Sequence, residues 1–193
     1  HNQTHLADVL AKFDWAREML FDAPELAQLP TAERQRMFDR IEIALFYHDV
    51  IYDARAKDNE AQSRDLFLSH AESQNLPQAD RDAIARLIDL TAHHTTAKEI
   101  DECIMADCDV AILGADKNAF AAYDRHIRQE YAHVPAPLYR AGRAKVLGKF
   151  LEAPRLFKTD LFHQEFDARA RDNLRGALAA PSPVQKILRK FGL

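Results

Sequence analysis

The stretch FYHDVIYD at residues 46–53 sets two adjacent titratable side chains, His48 and Asp49, into an apolar run. Three other segments repeat the pattern. HNQTH holds His1 and His5, TAHH holds His93 and His94, and ADCDVAIL holds Asp107 and Asp109. Burying that many ionisable groups singly is costly, several kcal/mol for each unpaired one. One divalent cation offsets the cost for all of them together. His1 and His5 are four apart and share a face if helical. His48 and Asp49 diverge by about 100° on a helix. Both therefore reach one centre only at a helix edge, in a crevice between packed helices, where bundles place their metal sites. On this reading Leu45, Phe46, Val50 and Ile51 pack around the pair and keep it partly dry.

The elements that must position these residues read as helices. Leu6, Val9, Leu10, Phe13 and Leu20 recur at spacings of three, four and seven. Within residues 28–49 a helix opens after Pro30 with Thr31 as N-cap. Its stripe of Met37, Ile41, Ala44 and Leu45 leads directly to His48. The next helix begins at Asp58 and Asn59, both good caps. Ile84, Leu87, Ile88 and Thr91 place His94 further along their face. An apolar helix carries Asp107 and Asp109 on to Ile112 and Leu113, with Gly114 as its stop. Phe120, Tyr123, Ile127 and Tyr131 mark a helix ended near Pro135 and Pro137, and stretches 138–153 and 162–178 complete about eight. No segment keeps a period of two long enough for a strand. The expectation is an all-α helical bundle, a single domain over 1–193.

At this point the residues carry a family resemblance. HNQTH, then His48-Asp49, then an Asp in DCDVAILG resembles the ordered His…His-Asp…Asp signature of the HD superfamily of metal-dependent phosphohydrolases. It is most similar to a bacterial group of small predicted HD phosphohydrolases, whose members read HDxxYDxxxxDNExxS where this chain has HDVIYDARAKDNEAQS. TAHH, DCDVAILGAD, IRQEYAHVP and YRAGRAKVLGKFL extend the likeness over nearly the whole chain. The resemblance implies an HD-type bundle with His5, His48 and Asp49 as metal ligands and Asp109 as the fourth. Asp107 is the rival, four residues after Cys103 and seven after Ile100. HNQTH also resembles the HNxxH of cyclic-nucleotide phosphodiesterases, which implies that His1 is the general acid and Asp49 part of the catalytic set. His93 and His94 are similar to the extra histidines of two-metal relatives, and equally compatible with capping or lining a substrate site.

Two imidazoles and two carboxylates with open positions suit Mn, Fe, Co, Ni or Zn better than Mg or Ca, and the expectation is one such ion per chain. Such a cation acts on a phosphate oxygen as a Lewis acid and activates water. A phosphate needs counter-charge, for which Arg55, Lys57, Arg128 and Arg143 are candidates; Arg143 can pair bidentately. The expected activity is phosphomonoester or phosphodiester hydrolysis of a nucleotide or another small phosphorylated metabolite. The same ligands also fit an iron-dependent redox enzyme or a non-catalytic metal- or nucleotide-binding regulatory module.

Composition narrows the rest. The 193 residues carry a formal net charge of −4 with both signs interspersed, so no stable nucleic-acid complex is expected. Lys186, Arg189 and Lys190 form the one basic cluster, read as a solvated last helix. Only five glycines argue against a turn-rich sheet fold. Cys103 and Cys108 make no disulfide framework, which points to a reducing cytoplasm. No apolar run reaches the ~20 residues of a membrane span. The partners expected are a small phosphorylated substrate and, compatibly, a second copy of the chain in a homodimer.

Overall fold

In the computed structural model, residues 3–179 are described, the side chains at 3 and 93–95 excepted. Among them the regular structure is entirely helical: α1 (Gln3–Leu20), α2 (Thr31–Tyr47), α3 (Asn59–Ser73), α4 (Gln78–Leu90), α5 (Ile100–Val110), α6 (Lys117–Glu130), α7 (Ala136–Glu152) and α8 (Asp160–Ala179). Short 3-10 turns cover Pro24–Leu26, Thr91–Thr96 and Ala111–Gly114. No described helix is long and apolar enough to cross a membrane. The chain forms two compact units. One comprises the residues up to Ile112 with Phe157–Glu165, and the other Leu113–Leu156 with the chain from Phe166.

In the first unit α2 packs against α1, α4 and α5, and α3 lies on α4. The core is built from helical stripes: Val9, Phe13, Ala16 and Leu20 from α1, Phe38, Ile41, Ala44 and Leu45 from α2, and Ile84, Leu87 and Ile88 from α4. Helix α5 is buried over five successive residues, Ile104 to Cys108. A helix enclosed in this way shows no polar face, and any charge it carries must find a partner. Phe157 and Phe162 stack with centroids 6.2 Å apart, and Trp15 meets Phe162 edge-on at 5.3 Å.

Three helices start on a proline. Pro30, Pro77 and Pro135 are the N-caps of α2, α4 and α7, each with extended ψ and no side-chain cap. Their fixed φ suits the entry to a helix, and their carbonyls accept the first helical bonds. Thr31 is therefore the first residue of α2, not its cap, and its hydroxyl accepts from the Arg34 guanidinium at 3.1 Å.

In the second unit, Asp116 caps α6 by accepting from the Asn118 and Ala119 backbone N–H groups at 2.9 and 3.0 Å. Gly114 ends the turn after α5 because nothing larger fits. A Cβ there would lie 2.6 Å from the Phe166 Cβ. The same corner is tied down by Arg169, which donates to the Gly114 carbonyl, and by Asn173, which donates to those of Leu113 and Ala115.

Candidate metal centre

The helical stripe of α2 ends where the titratable pair begins. Tyr47 is its last helical residue, His48 is the C-cap with helical φ and ψ, and Asp49 lies in the turn beyond. The pair was expected inside a helix, diverging. Leaving the helix between them frees Asp49 to turn toward the side that His48 faces. His48 itself continues the buried stripe and is only 2% exposed. Its Nδ1 lies 2.6 Å from the Leu45 carbonyl, which can only accept, so Nδ1 carries the proton and donates. In the neutral ring this leaves Nε2 as the metal-binding nitrogen, the carbonyl acting as the outer partner that orients a ligand histidine.

Three elements converge on Nε2 of His48. It stands 3.1 Å from Asp49 Oδ2 and 3.4 Å from Asp109 Oδ1. His5 Nε2, from α1, stands 3.3 Å from the same Asp109 oxygen and 3.7 Å from Asp49 Oδ2. Donor atoms of His5, His48 and Asp109 all lie within 4.8 Å of one another, with Asp49 flanking both imidazoles. Ligands about 2.0–2.2 Å from one ion stand roughly 3.0–3.4 Å apart in tetrahedral or cis-octahedral geometry. The separations of 3.1, 3.3 and 3.4 Å match that spacing, and the 3.7 Å between His5 and Asp49 is slightly wider. His48 Nε2 is also a buried nitrogen that makes no hydrogen bond, close as the two carboxylates are. The donor set thus fits a divalent transition cation.

Electrostatics point the same way. Burial disfavours the His48 imidazolium, but the charges of Asp109 and Asp49 outweigh it and hold the ring well above its ordinary value. Two carboxylates draw a cation to this position, a proton or a metal. Neither cysteine is among the converging donors, and burial pushes the Cys103 thiol up to about 11 and Cys108 well above its usual range.

The two rival aspartates of α5 have different surroundings. Asp109 faces both imidazoles. Asp107 is 1% exposed and accepts from the Lys158 and Thr159 backbone N–H groups and the Thr159 hydroxyl at 2.7–2.8 Å. It ties α5 to the start of α8. Burial pushes its carboxyl up to about 6 against these three bonds. Asp109→Asn is expected to lose the metal. Asp107→Asn is expected to keep it while losing roughly 1–3 kcal/mol of stability, because an amide turns a donor toward donors. Elemental analysis and thermal melts of the two variants check the distinction.

Phe46 and Val50, expected to wrap the pair, are 54% and 46% exposed. Phe46 lies two positions from His48, about 200° round the helix, and Val50 lies past the helix end. Leu45 alone of that flanking set is fully enclosed. Arg143 and Arg128 belong to the second unit. Arg143 pairs with Asp124 at 3.1 Å and lies over the Tyr123 ring, while Arg128 donates to the Tyr131 carbonyl and lies over Tyr139. His1 lies outside the described residues, as do the side chains of His93 and His94 and the basic cluster Lys186, Arg189 and Lys190.

The sequence did not reveal the groups that brace the ligands. The Leu45 carbonyl and the Thr159 anchor of Asp107 leave no pattern of their own. Asn59 and Ser63, which the reading placed only in a cap and a motif, both grip backbone. Asn59 accepts from the Asp53 N–H at 2.9 Å and donates to the Asp53 carbonyl at 3.0 Å. Ser63 accepts from the Ile51 N–H at 3.1 Å and donates to the Ile51 carbonyl at 3.3 Å. No family model, curated protein or solved structure matches the chain.

Proposed function

We propose that the chain is a metal-dependent phosphohydrolase of the HD type, hydrolysing a phosphoester of a nucleotide or another small phosphorylated metabolite. The observation that carries the reading is the convergence of His5, His48 and Asp109 to donor-atom distances that suit one ion, with Asp49 beside them. A divalent transition cation bound there supplies Lewis-acid polarisation of a phosphate oxygen and activation of water. The chain's own residues do the remaining work. His48 is fixed by the Leu45 carbonyl, and Asp109 stands near the end of the buried α5. Asp49, 19% exposed, would hold the ion from the solvent-reachable edge of the donor set, beside the attacking water. His1 keeps the role of proton donor to the leaving oxygen. Arg55 and Lys57, exposed in the loop that leaves Asp49, are better placed to meet a substrate phosphate than the guanidiniums already engaged by Asp124 or by backbone carbonyls.

A panel of nucleotides, sugar phosphates and activated aryl phosphates tests the activity. Metal-dependent release of phosphate or alcohol is expected from at least one member. Asp49→Asn, which weakens a ligand carboxylate, is expected to lower its kcat by about 10²-fold or more while the helical circular dichroism stays unchanged. No metal-dependent release across the panel would turn the assignment toward a regulatory module.

A further inference from the structure

We propose that Asn59 and Ser63 are positioning residues for Asp49, acting through the backbone of the segment that leaves it; the inference rests on the metal-binding reading of the site. Asp49 sits outside any helix. On one side its backbone is fixed by the end of α2, where the His48 N–H donates to the Ala44 carbonyl. On the other side no regular element begins until Asn59. Val50, next to Asp49, is 46% exposed, and Ile51 and Tyr52 after it are only half-buried. Two side chains of α3 tie the backbone of this segment directly. Ser63 takes both the N–H and the carbonyl of Ile51, two residues beyond Asp49, and Asn59 takes both groups of Asp53.

The spacing explains how one helix face grips a loop twice. Residues four apart on a helix are separated by about 6 Å along its axis, and residues two apart in an extended chain by about 6.6 Å. Asn59 and Ser63 therefore meet Asp53 and Ile51 in antiparallel register. Both belong to one row on α3 that is buried at Asn59, Ser63, Phe67 and Ala71. The C-terminal half of the row is core, and the N-terminal half is polar and spent on the loop. Ser63 is 0% and Asn59 8% exposed, so water cannot easily replace either bond. Only one orientation of the Asn59 amide satisfies both groups of Asp53, which makes the grip directional. Residues that orient a metal ligand without touching the ion commonly set its affinity by 10–100-fold.

The test is a double-mutant cycle read by Co²⁺ affinity and by the Co²⁺ visible spectrum. Ser63→Ala and, separately, Asn59→Ala are each expected to weaken Co²⁺ binding by about 10–100-fold and to change the spectrum. In an Asp49→Ala background the same substitutions are expected to change affinity by less than about twofold, because the residue they position is gone. Circular dichroism checks that each variant is folded, and either variant alone suffices. Folded variants that bind as tightly as wild type would overturn the inference. So would an equal loss in both backgrounds, which marks general support of the fold. A wild-type protein that binds no Co²⁺ would instead overturn the metal reading, and the inference with it.

Discussion

His48→Ala is expected to strip the protein of its metal. Elemental analysis is expected to find under about a tenth of an equivalent per chain, where the wild type carries about one. Partners that merely orient a ligand cost 10–100-fold in affinity, and removing a ligand costs more, on the order of 10³-fold or above. His48 is the extreme case within this site. It is the most buried of the donors, and it is the one that Asp49 and Asp109 both approach to within 3.4 Å. Its removal leaves two carboxylates facing a small void with no imidazole between them. The variant is therefore expected to lose the activity of the panel substrate as well, and a variant as fully loaded as wild type would remove His48 from the ligand set.

Chelation is expected to lower the thermal midpoint, and by more at higher pH. A ligand present at about 1,000 times its Kd stabilises by about 4 kcal/mol, and at about 2–4 °C per kcal/mol for a chain of this size the shift is roughly 8–16 °C. The pH dependence follows from His48. In the metal-free protein the charges of Asp109 and Asp49 overcome burial and raise its folded pKa above the unfolded value near 6.5. That stabilisation is complete below about pH 6.5 and is lost as pH rises through the raised folded value. The metal displaces the same proton, so its affinity grows over the same window. Melts with and without chelator near pH 6 and near pH 8 are expected to diverge at the higher pH. A gap that is constant or narrows would contradict the coupling between His48 and the metal.

Much of the helical fold was legible because its stripes are regular. Met37, Ile41, Ala44 and Leu45 lead to a buried His48 as their spacing implies, and Ile84, Leu87 and Ile88 are enclosed in the same way. The histidine and aspartate positions stood out because charged groups on apolar faces are expensive. What the pattern could not give was the termination of α2 at Tyr47. Helix ends depend on where the next segment is anchored, and here Ser63 anchors it from fourteen residues away from Asp49. Asn59 looked like a cap because its type is common at helix starts, yet its amide is used on Asp53. The exposure of Phe46 and Val50 was likewise hidden, since an apolar residue type does not say which way it faces once the helix stops. The two aspartates of α5 have the same type and stand two residues apart. Only the partners of each, imidazoles for Asp109 and the start of α8 for Asp107, distinguish them.

The most direct measurement titrates Mn²⁺ back into the chelated protein while following hydrolysis of activated aryl phosphate mono- and diesters. The account predicts no turnover without metal, a rise in proportion to metal added, and a break at about one equivalent per chain. It also predicts that His48→Ala and Asp109→Asn show no such break. Turnover in the metal-free protein, or metal bound at His5, His48 and Asp109 with no hydrolysis of either ester at any equivalence, would contradict it.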